Sequence, residues 1–421
     1  MGGVSSNLPP PPRALKDIYD VIVVGGGPSG SACATFLAKQ GRDVLLLDRA
    51  KFPRDKICGD GTSGKSVRVM DEMGVLESVR AAEHQDMYGV TFSSPDSTVL
   101  RIPSADRAKD KPPGFVCRRE VFDNVLFQHA KKLCTTLEQF FVNDLLLENG
   151  AVVGVTGMDL NTRQNRSFRA RLVVGADGAG SVIARKVGAV NNDEVHQVAA
   201  IRAYYENVEE NTDHIELHFV PEVIPGYFWV FPLPNKRANV GIGMLVRDMK
   251  KRRINLQQAM FNTIQNNPLF KERFKNAKMV GEIKSWFLPL GSLRLKLYGN
   301  GYVLLGDAAS LIDPFSGEGI GSGLVSGKVA AECIARAFEK NDFSEATLQE
   351  YQKALFDELG PSLDNSYKLQ QMGHSTFLLN WIIGKAARND KIRQVISSAL
   401  INPEQQKQFY SPWFYLKLLF A

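Results

Sequence analysis

The hydrophobic pattern changes period along the chain. In YDVIVVGGGPSGSACATFLAKQGRDVLLLD, Tyr19 to Asp48, a β-branched run (residues 21–24) leads into a glycine turn. Small and apolar residues at helical spacing follow through Lys39, then a second apolar run at residues 44–47. Unbroken short runs predict strands buried on both faces, and Gly41 is placed to end the helix between them. The chain therefore opens on a βαβ unit. Val121, Phe122, Val125 and Leu126 predict a helix over 119–133, and FFVNDLLLENGAVVGVTGMDL predicts a hairpin turning at Asn149-Gly150. RLVVGADG is a further buried strand running into a turn.

From His196 to Leu245 the period becomes two. Ile215, Leu217 and Phe219 alternate with polar neighbours, as do Val240, Ile242 and Met244. This predicts a half-buried antiparallel sheet, a different layer from the parallel strands before it. A helical stretch near 255–275, a buried strand in YVLLGDAA, a long helix over about 319–339 and a helical tail after 340 complete the pattern.

Composition narrows the function classes. The 421 residues are 44% hydrophobic and 23% charged, as expected of a globular protein. A net charge of +6 without a long basic run argues against nucleic acid and leaves only weak attraction to anionic membranes. Five scattered cysteines without a C-x-x-C pair predict free thiols in a reducing, cytoplasmic setting. The six histidines lack metal spacing; His214 and His218 share a strand face without a joining acid or thiol cluster, and are read as surface residues. No metal is expected. Residues 1–17 are polar and Pro-rich, predicting a disordered tail rather than a secretory signal. The apolar ending SPWFYLKLLFA is expected to pack on the body, with peripheral contact at a membrane as the alternative.

Three motifs carry chemistry. Gly25, Gly27 and Gly30, with Pro28 and Ser29 between them, satisfy G-x-G-x-x-G between a strand and a helix. Such glycines permit a tight turn and let a pyrophosphate approach the helix N-terminus. Asp48, ending the second strand, is placed to bind an adenosine ribose, which favours FAD or NAD over NADP. Downstream, Gly306-Asp307-Ala308-Ala309 follows a strand, and DPFSGEGIGSG enters the long helix. A carboxylate there can hold the ribityl or pyrophosphate region, and Gly317, Gly319 and Ile320 put backbone and a helix N-terminus beside a flat ring. Together these favour FAD. The third motif, GDGTSGKS (residues 59–66), matches the P-loop pattern, but DRAKFPRDKIC before it offers no strand to launch a phosphate loop. It is better parsed as C-G-D-G followed by a helix start.

GGGPSG…D, GADGAGS and GDAA…DPFSGEG, in this order, resemble the class A flavoprotein monooxygenase superfamily of the para-hydroxybenzoate hydroxylase fold. KICGDG (residues 56–61) and Tyr227-x-Trp229-x-Phe231-Pro232 resemble the geranylgeranyl reductase family within it. The resemblance implies that the fingerprint glycines, Asp48 and Arg49 bind the ADP portion of FAD. It further implies FAD contacts for Arg119, Asp177, Gly306 and Asp307. Tyr227, Trp229 and Phe231, which share one strand face, would line an isoprenoid cavity with Pro289. Cys58, Tyr227 and Trp229 are the implied catalytic candidates; a thiol is a weak acid for an alkene, so the role of Cys58 stays open.

The implied fold is α/β. A Rossmann-type FAD-binding domain (18–85, 112–190 and 281–340) interleaves with an antiparallel substrate domain (86–111 and 191–280), and a helical region follows (341–421). The implied activity is FAD-dependent saturation of a prenyl chain on a lipid, diphosphate or quinone, with NADPH, NADH or ferredoxin as external reductant. Two alternatives stand beside it: a monooxygenase or halogenase of the same fold, and a non-catalytic flavoprotein that holds FAD as a structural or electron-carrying module. Halogenases carry Trp-x-Trp-x-Ile-Pro, from which Tyr227 and Phe231 depart.

Overall fold

The computed structural model describes residues 14–104 and 112–401. The doubly buried runs form the heart of its first sheet. Ile18–Val24 lies between Val44–Leu47 and Asn165–Gly175, and Thr135–Leu137 and Tyr302–Leu304 extend the parallel array on either side. Val21, Ile22 and Val23 are fully buried, so both faces of the array are covered. Helix Pro28–Lys39 packs against Arg119–Leu133 and Ile320–Lys340. At the second contact a side chain on Gly327 would begin 2.5 Å from the Ser29 carbonyl oxygen, so only glycine allows this approach. The hairpin Phe140–Glu148 and Ala151–Asp159 turns at Asn149 and Gly150, both with positive φ (50° and 78°), as a type I′ turn requires.

The second sheet has seven strands, in the spatial order Lys278–Pro289, Gln197–Glu206, Arg237–Leu245, Tyr227–Leu233, His214–His218, Gly89–Ser93 and Val99–Pro103. Neighbours run antiparallel except His214–His218 beside Gly89–Ser93. Two expectations need correcting here. The sheet is not half-exposed: Phe228, Val230, Val240 and Ile242 pack beneath helix Leu256–Asn266 and Phe270. His214 and His218 point into that covered side and are buried, not superficial. His218 Nε2 lies 3.0 Å from Glu216, its Nδ1 2.9 Å from the Ser93 hydroxyl, and Arg273 grips Glu216 at 2.8 and 2.9 Å. A period of two reports which residues share a face, not which face meets water. The second correction concerns residues 281–289, read from the sequence as part of the FAD-binding portion. They belong to an edge strand of the second sheet and pair with Gln197–Glu206.

The helix expected over 255–275 ends at Asn266, because Asn267 precedes Pro268 and turns to extended backbone. After residue 340 come helices Glu345–Met372, Thr376–Arg388 and Asp390–Ile401. Ile383, Ala386 and Ile392 from the last two join a core with Trp229, Leu217 and Phe92. The N-terminal residues 1–13 and the ending SPWFYLKLLFA lie outside the described residues. No described helix is long and apolar enough to cross a membrane.

Candidate active site

The two sheets enclose one cavity of about 830 Å³. On the first-sheet side the glycine loop forms its floor. Gly25 has φ 107°, and a side chain there would begin 2.2 Å from the Ala176 carbonyl oxygen. Gly25, Gly27, Pro28 and Ser29 line the cavity. Gly30 does not: a side chain on it would begin 1.8 Å from the Gly25 carbonyl oxygen, so it closes the turn rather than facing a ligand. Asp48 accepts the Gly26 and Ala50 N–H groups, each at 2.7 Å, which fixes its carboxylate at the strand end. Burial pushes its pKa up. Arg49 follows, exposed at the rim.

Six more of the expected contacts converge on this space. Arg119 is buried and lines it, bonded to Asp123 through Nε at 2.6 Å and a terminal nitrogen at 2.7 Å, with its guanidinium also reaching the Cys58 side chain. Asp177 lines it too, although its carboxylate already accepts from the Ser181 hydroxyl (2.5 Å) and the Val182 N–H (2.6 Å). Asp307 sits 3.5 Å from Lys56. Gly306 stands behind Asp307 at φ 56°, where a side chain would begin 2.2 Å from the Ser29 hydroxyl; it is a packing position and not a lining one. Gly317, Gly319 and Ile320 bring the start of the 21-residue helix to the cavity wall. Asp313 shapes the preceding loop by accepting from the Phe315 and Ser316 N–H groups at 3.0 and 2.8 Å.

The opposite wall is aromatic. Tyr227, Trp229 and Phe231 share one face of their strand, with neighbouring ring centroids 6.1 and 6.3 Å apart, and all three line the cavity. Gly241 on the adjacent strand makes room: a side chain there would begin 2.1 Å from the Trp229 ring. The Tyr227 hydroxyl donates to the Ser316 carbonyl, tying this wall to the loop before the long helix. Pro289 does not take the expected place. Trp286 and Leu288 line the cavity, and Pro289, one residue out of step with them, is directed elsewhere by the strand's alternation.

Cys58 lies between the two sides, lining the cavity with Gly59, Asp60 and Gly61. Sequence reasoning passed over the polar cluster behind this loop. Asp60 is fully buried and accepts from the Tyr204 hydroxyl (2.7 Å) and the Asn239 amide (2.8 Å). Asn239 also donates to the Cys58 carbonyl at 2.7 Å and accepts from the Trp229 indole at 3.0 Å. The only sequence signal was the acid between two glycines in C-G-D-G. The P-loop resemblance of this stretch ends in the geometry. The strand before it, Val44–Leu47, ends well upstream and does not run into the loop, and Lys65 pairs with Glu318 at 3.6 Å.

The residues present fit FAD. Bare glycine backbone at a helix N-terminus, a strand-end carboxylate and a second helix start all border one space long enough to reach the aromatic wall. The FAD binding domain family model matches residues 18–353. The chain belongs to that family, as an FAD-dependent oxidoreductase. It is 30% identical over 370 residues to the digeranylgeranylglycerophospholipid reductase of Methanocella arvoryzae, covering 85% of this chain and 88% of that one. The menaquinone reductase of Mycobacterium tuberculosis is 30% identical over 76% of this chain and 78% of its own. Among solved structures, a geranylgeranyl bacteriochlorophyll reductase-like protein from Thermoplasma acidophilum superposes with a TM-score of 0.81. That match has 25% identity and covers 94% of this chain and 99% of the other. Flavin-dependent halogenases share the fold alone.

Proposed function

We propose that this oxidoreductase saturates carbon–carbon double bonds of a polyprenyl chain, of the geranylgeranyl type, carried on a lipid, a diphosphate or a quinone. The observation that carries this reading is the continuity of the cavity. The end suited to a dinucleotide and the wall of Tyr227, Trp229 and Phe231 bound the same space. The relatives support it: one is named for a geranylgeranylated glycerophospholipid and another for menaquinone. Both substrates are apolar chains with different heads, so the chain rather than the head is the common element.

FAD, when bound, supplies a two-electron reduction and is itself reduced by an external donor such as NADPH, NADH or ferredoxin. The protein does the rest. An isolated alkene is unpolarised, so orientation and exclusion of water must supply much of the acceleration. Tyr227, Trp229 and Phe231 offer flat apolar surface on one side of the chain, and Leu217 and Leu288 continue it. The Tyr227 hydrogen bond to Ser316 fixes that surface relative to the flavin-side loop. Cys58 lies between the two and orients the substrate. Gly25, Gly27, Ser29, Asp48, Arg119 and Asp307 would hold FAD, with Gly317, Gly319 and Ile320 bordering the same space.

Anaerobic incubation of the reduced holoenzyme with a prenyl glycerolipid, a prenyl diphosphate and menaquinone, followed by mass spectrometry, tests this. The expected result is a gain of H₂ per reduced bond on at least one substrate. No gain on any of them, or product formed only when oxygen is admitted, would contradict it.

A further inference from the structure

Asp60 is held in an uncommon way. Its backbone takes φ 69°, the left-handed conformation that a non-glycine residue adopts only at a cost. Its side chain is fully buried, and the residue borders the cavity. Oδ2 receives both available donors, the Tyr204 hydroxyl and the Asn239 amide. Oδ1 is buried with no partner among the described residues. Through Asn239 the same group is coupled to the Trp229 indole and to the Cys58 backbone.

That asymmetry indicates where a proton belongs. An ionised carboxylate needs donors on both oxygens when buried, and one left bare is costly. A neutral acid costs less there: Oδ2 is the carbonyl oxygen filled by two donors, and Oδ1 carries a hydrogen instead of a bare share of the charge. That hydrogen has no acceptor among the described residues.

We propose that Asp60 is the acid of the reductive reaction, protonating one alkene carbon from Oδ1. The proposal rests on the prenyl-reduction reading above. In the step, the alkene π pair takes the Asp60 proton at one carbon, and the other carbon would receive the hydride equivalent that reduced FAD supplies when bound. The Oδ1–H bond breaks, Asp60 is left as carboxylate, and the flavin would be left two electrons more oxidised. Solvent returns the proton to Asp60, and the external donor returns two electrons to FAD.

The charged surroundings are mixed. Arg202 and Arg119 favour the carboxylate, but each is paired, with Asp55 and Asp123 respectively, and Lys284 also pairs with Asp55. Tyr204, Cys58 and Cys117 are the other titratable neighbours. Burial outweighs the hydrogen bonds and the arginines, and pushes Asp60 up to about 6.

Two variants and one spectrum test the assignment. Asp60→Asn keeps an acceptor for Tyr204 and Asn239 but has no acidic proton. It should bind FAD and accept electrons as the parent does, yet saturate substrate about 10²- to 10⁴-fold more slowly. Tyr204→Phe removes a donor that favours the carboxylate, so the pH above which the rate declines should move upward. Independently of turnover, infrared spectra of the full FAD-loaded chain should show a protonated-carboxyl stretch that fades as pH rises through about 6 and is missing in Asp60→Asn. An Asp60→Asn enzyme with the parent's rate overturns the proposal, and so does the lack of such a band, even if the variant fails to fold. A parent enzyme that reduces no prenyl substrate while showing the band would count against the substrate reading and leave the protonated Asp60 standing.

Discussion

Asp123 is fully buried, and its carboxylate faces two guanidinium groups, Arg119 at 2.6 and 2.7 Å and Arg54 at 2.7 Å. Burial pushes its pKa up, and the two arginines more than reverse this, leaving it below the ordinary carboxylate value. A depressed folded value means the stabilisation is present above the unfolded pKa, about 3.9, and is lost as pH falls through the folded one. Asp123→Asn strands the buried Arg119 charge and should cost about 3–5 kcal/mol at neutral pH. Urea unfolding of parent and variant checks this: the gap should be widest near neutrality and narrow in acid. A gap that does not change with pH would remove the electrostatic explanation. Asp60 has the opposite sign. Its raised pKa means protonation favours the fold as pH falls through about 6. The two acids also differ in legibility. Arg119 could be picked out through the family resemblance of its segment. Asp60 could not, since its partners Tyr204 and Asn239 are 144 and 179 residues away and no local period links them.

At the scale of elements, the parallel strands and the fingerprint helix were readable because their burial is written into consecutive residues. Val44–Leu47 and Arg119–Leu133 fall where the pattern put them. The second sheet was harder. Its alternation correctly grouped Tyr227 with Trp229 and Phe231, but could not reveal that helix Leu256–Asn266 roofs the other face, which is why His214 and His218 were taken for surface residues. Lys278–Pro289 escaped because an exposed edge strand, rich in charged residues, lacks the apolar run that marks a buried one. The same sheet supplies a test of the aromatic wall. In Gly241→Ala the new methyl meets the Trp229 ring at 2.1 Å and the Ile201 carbonyl at 2.4 Å, so the ring must move. Overpacking of this kind costs about 1–3 kcal/mol. Prenyl saturation should fall while FAD binding, followed by flavin absorbance, stays intact. Loss of FAD with unchanged turnover per bound flavin would place Trp229 outside substrate handling.

Across the whole molecule, function depends on two sheets with different burial logic closing over one space. The first, built from doubly buried parallel strands, carries rigid glycine turns at its strand ends. The second presents one face of large rings and small residues, and the C-terminal helices reinforce it through Ile383, Ala386 and Ile392 beside Trp229. The Tyr227 to Ser316 and Arg202 to Asp55 contacts cross between the halves, so flavin side and substrate side are registered to each other. The sequence motifs identified each half separately; their joining in one cavity is a tertiary fact. The most direct test of that joining is an anaerobic single turnover. The holoenzyme is reduced, excess reductant is removed, and a geranylgeranyl lipid is added while flavin absorbance and product mass are followed together. Oxidised flavin should return without oxygen, in step with the gain of one H₂ per flavin by the prenyl chain. Flavin that stays reduced until oxygen enters, with the lipid unchanged, would contradict prenyl reduction in this cavity.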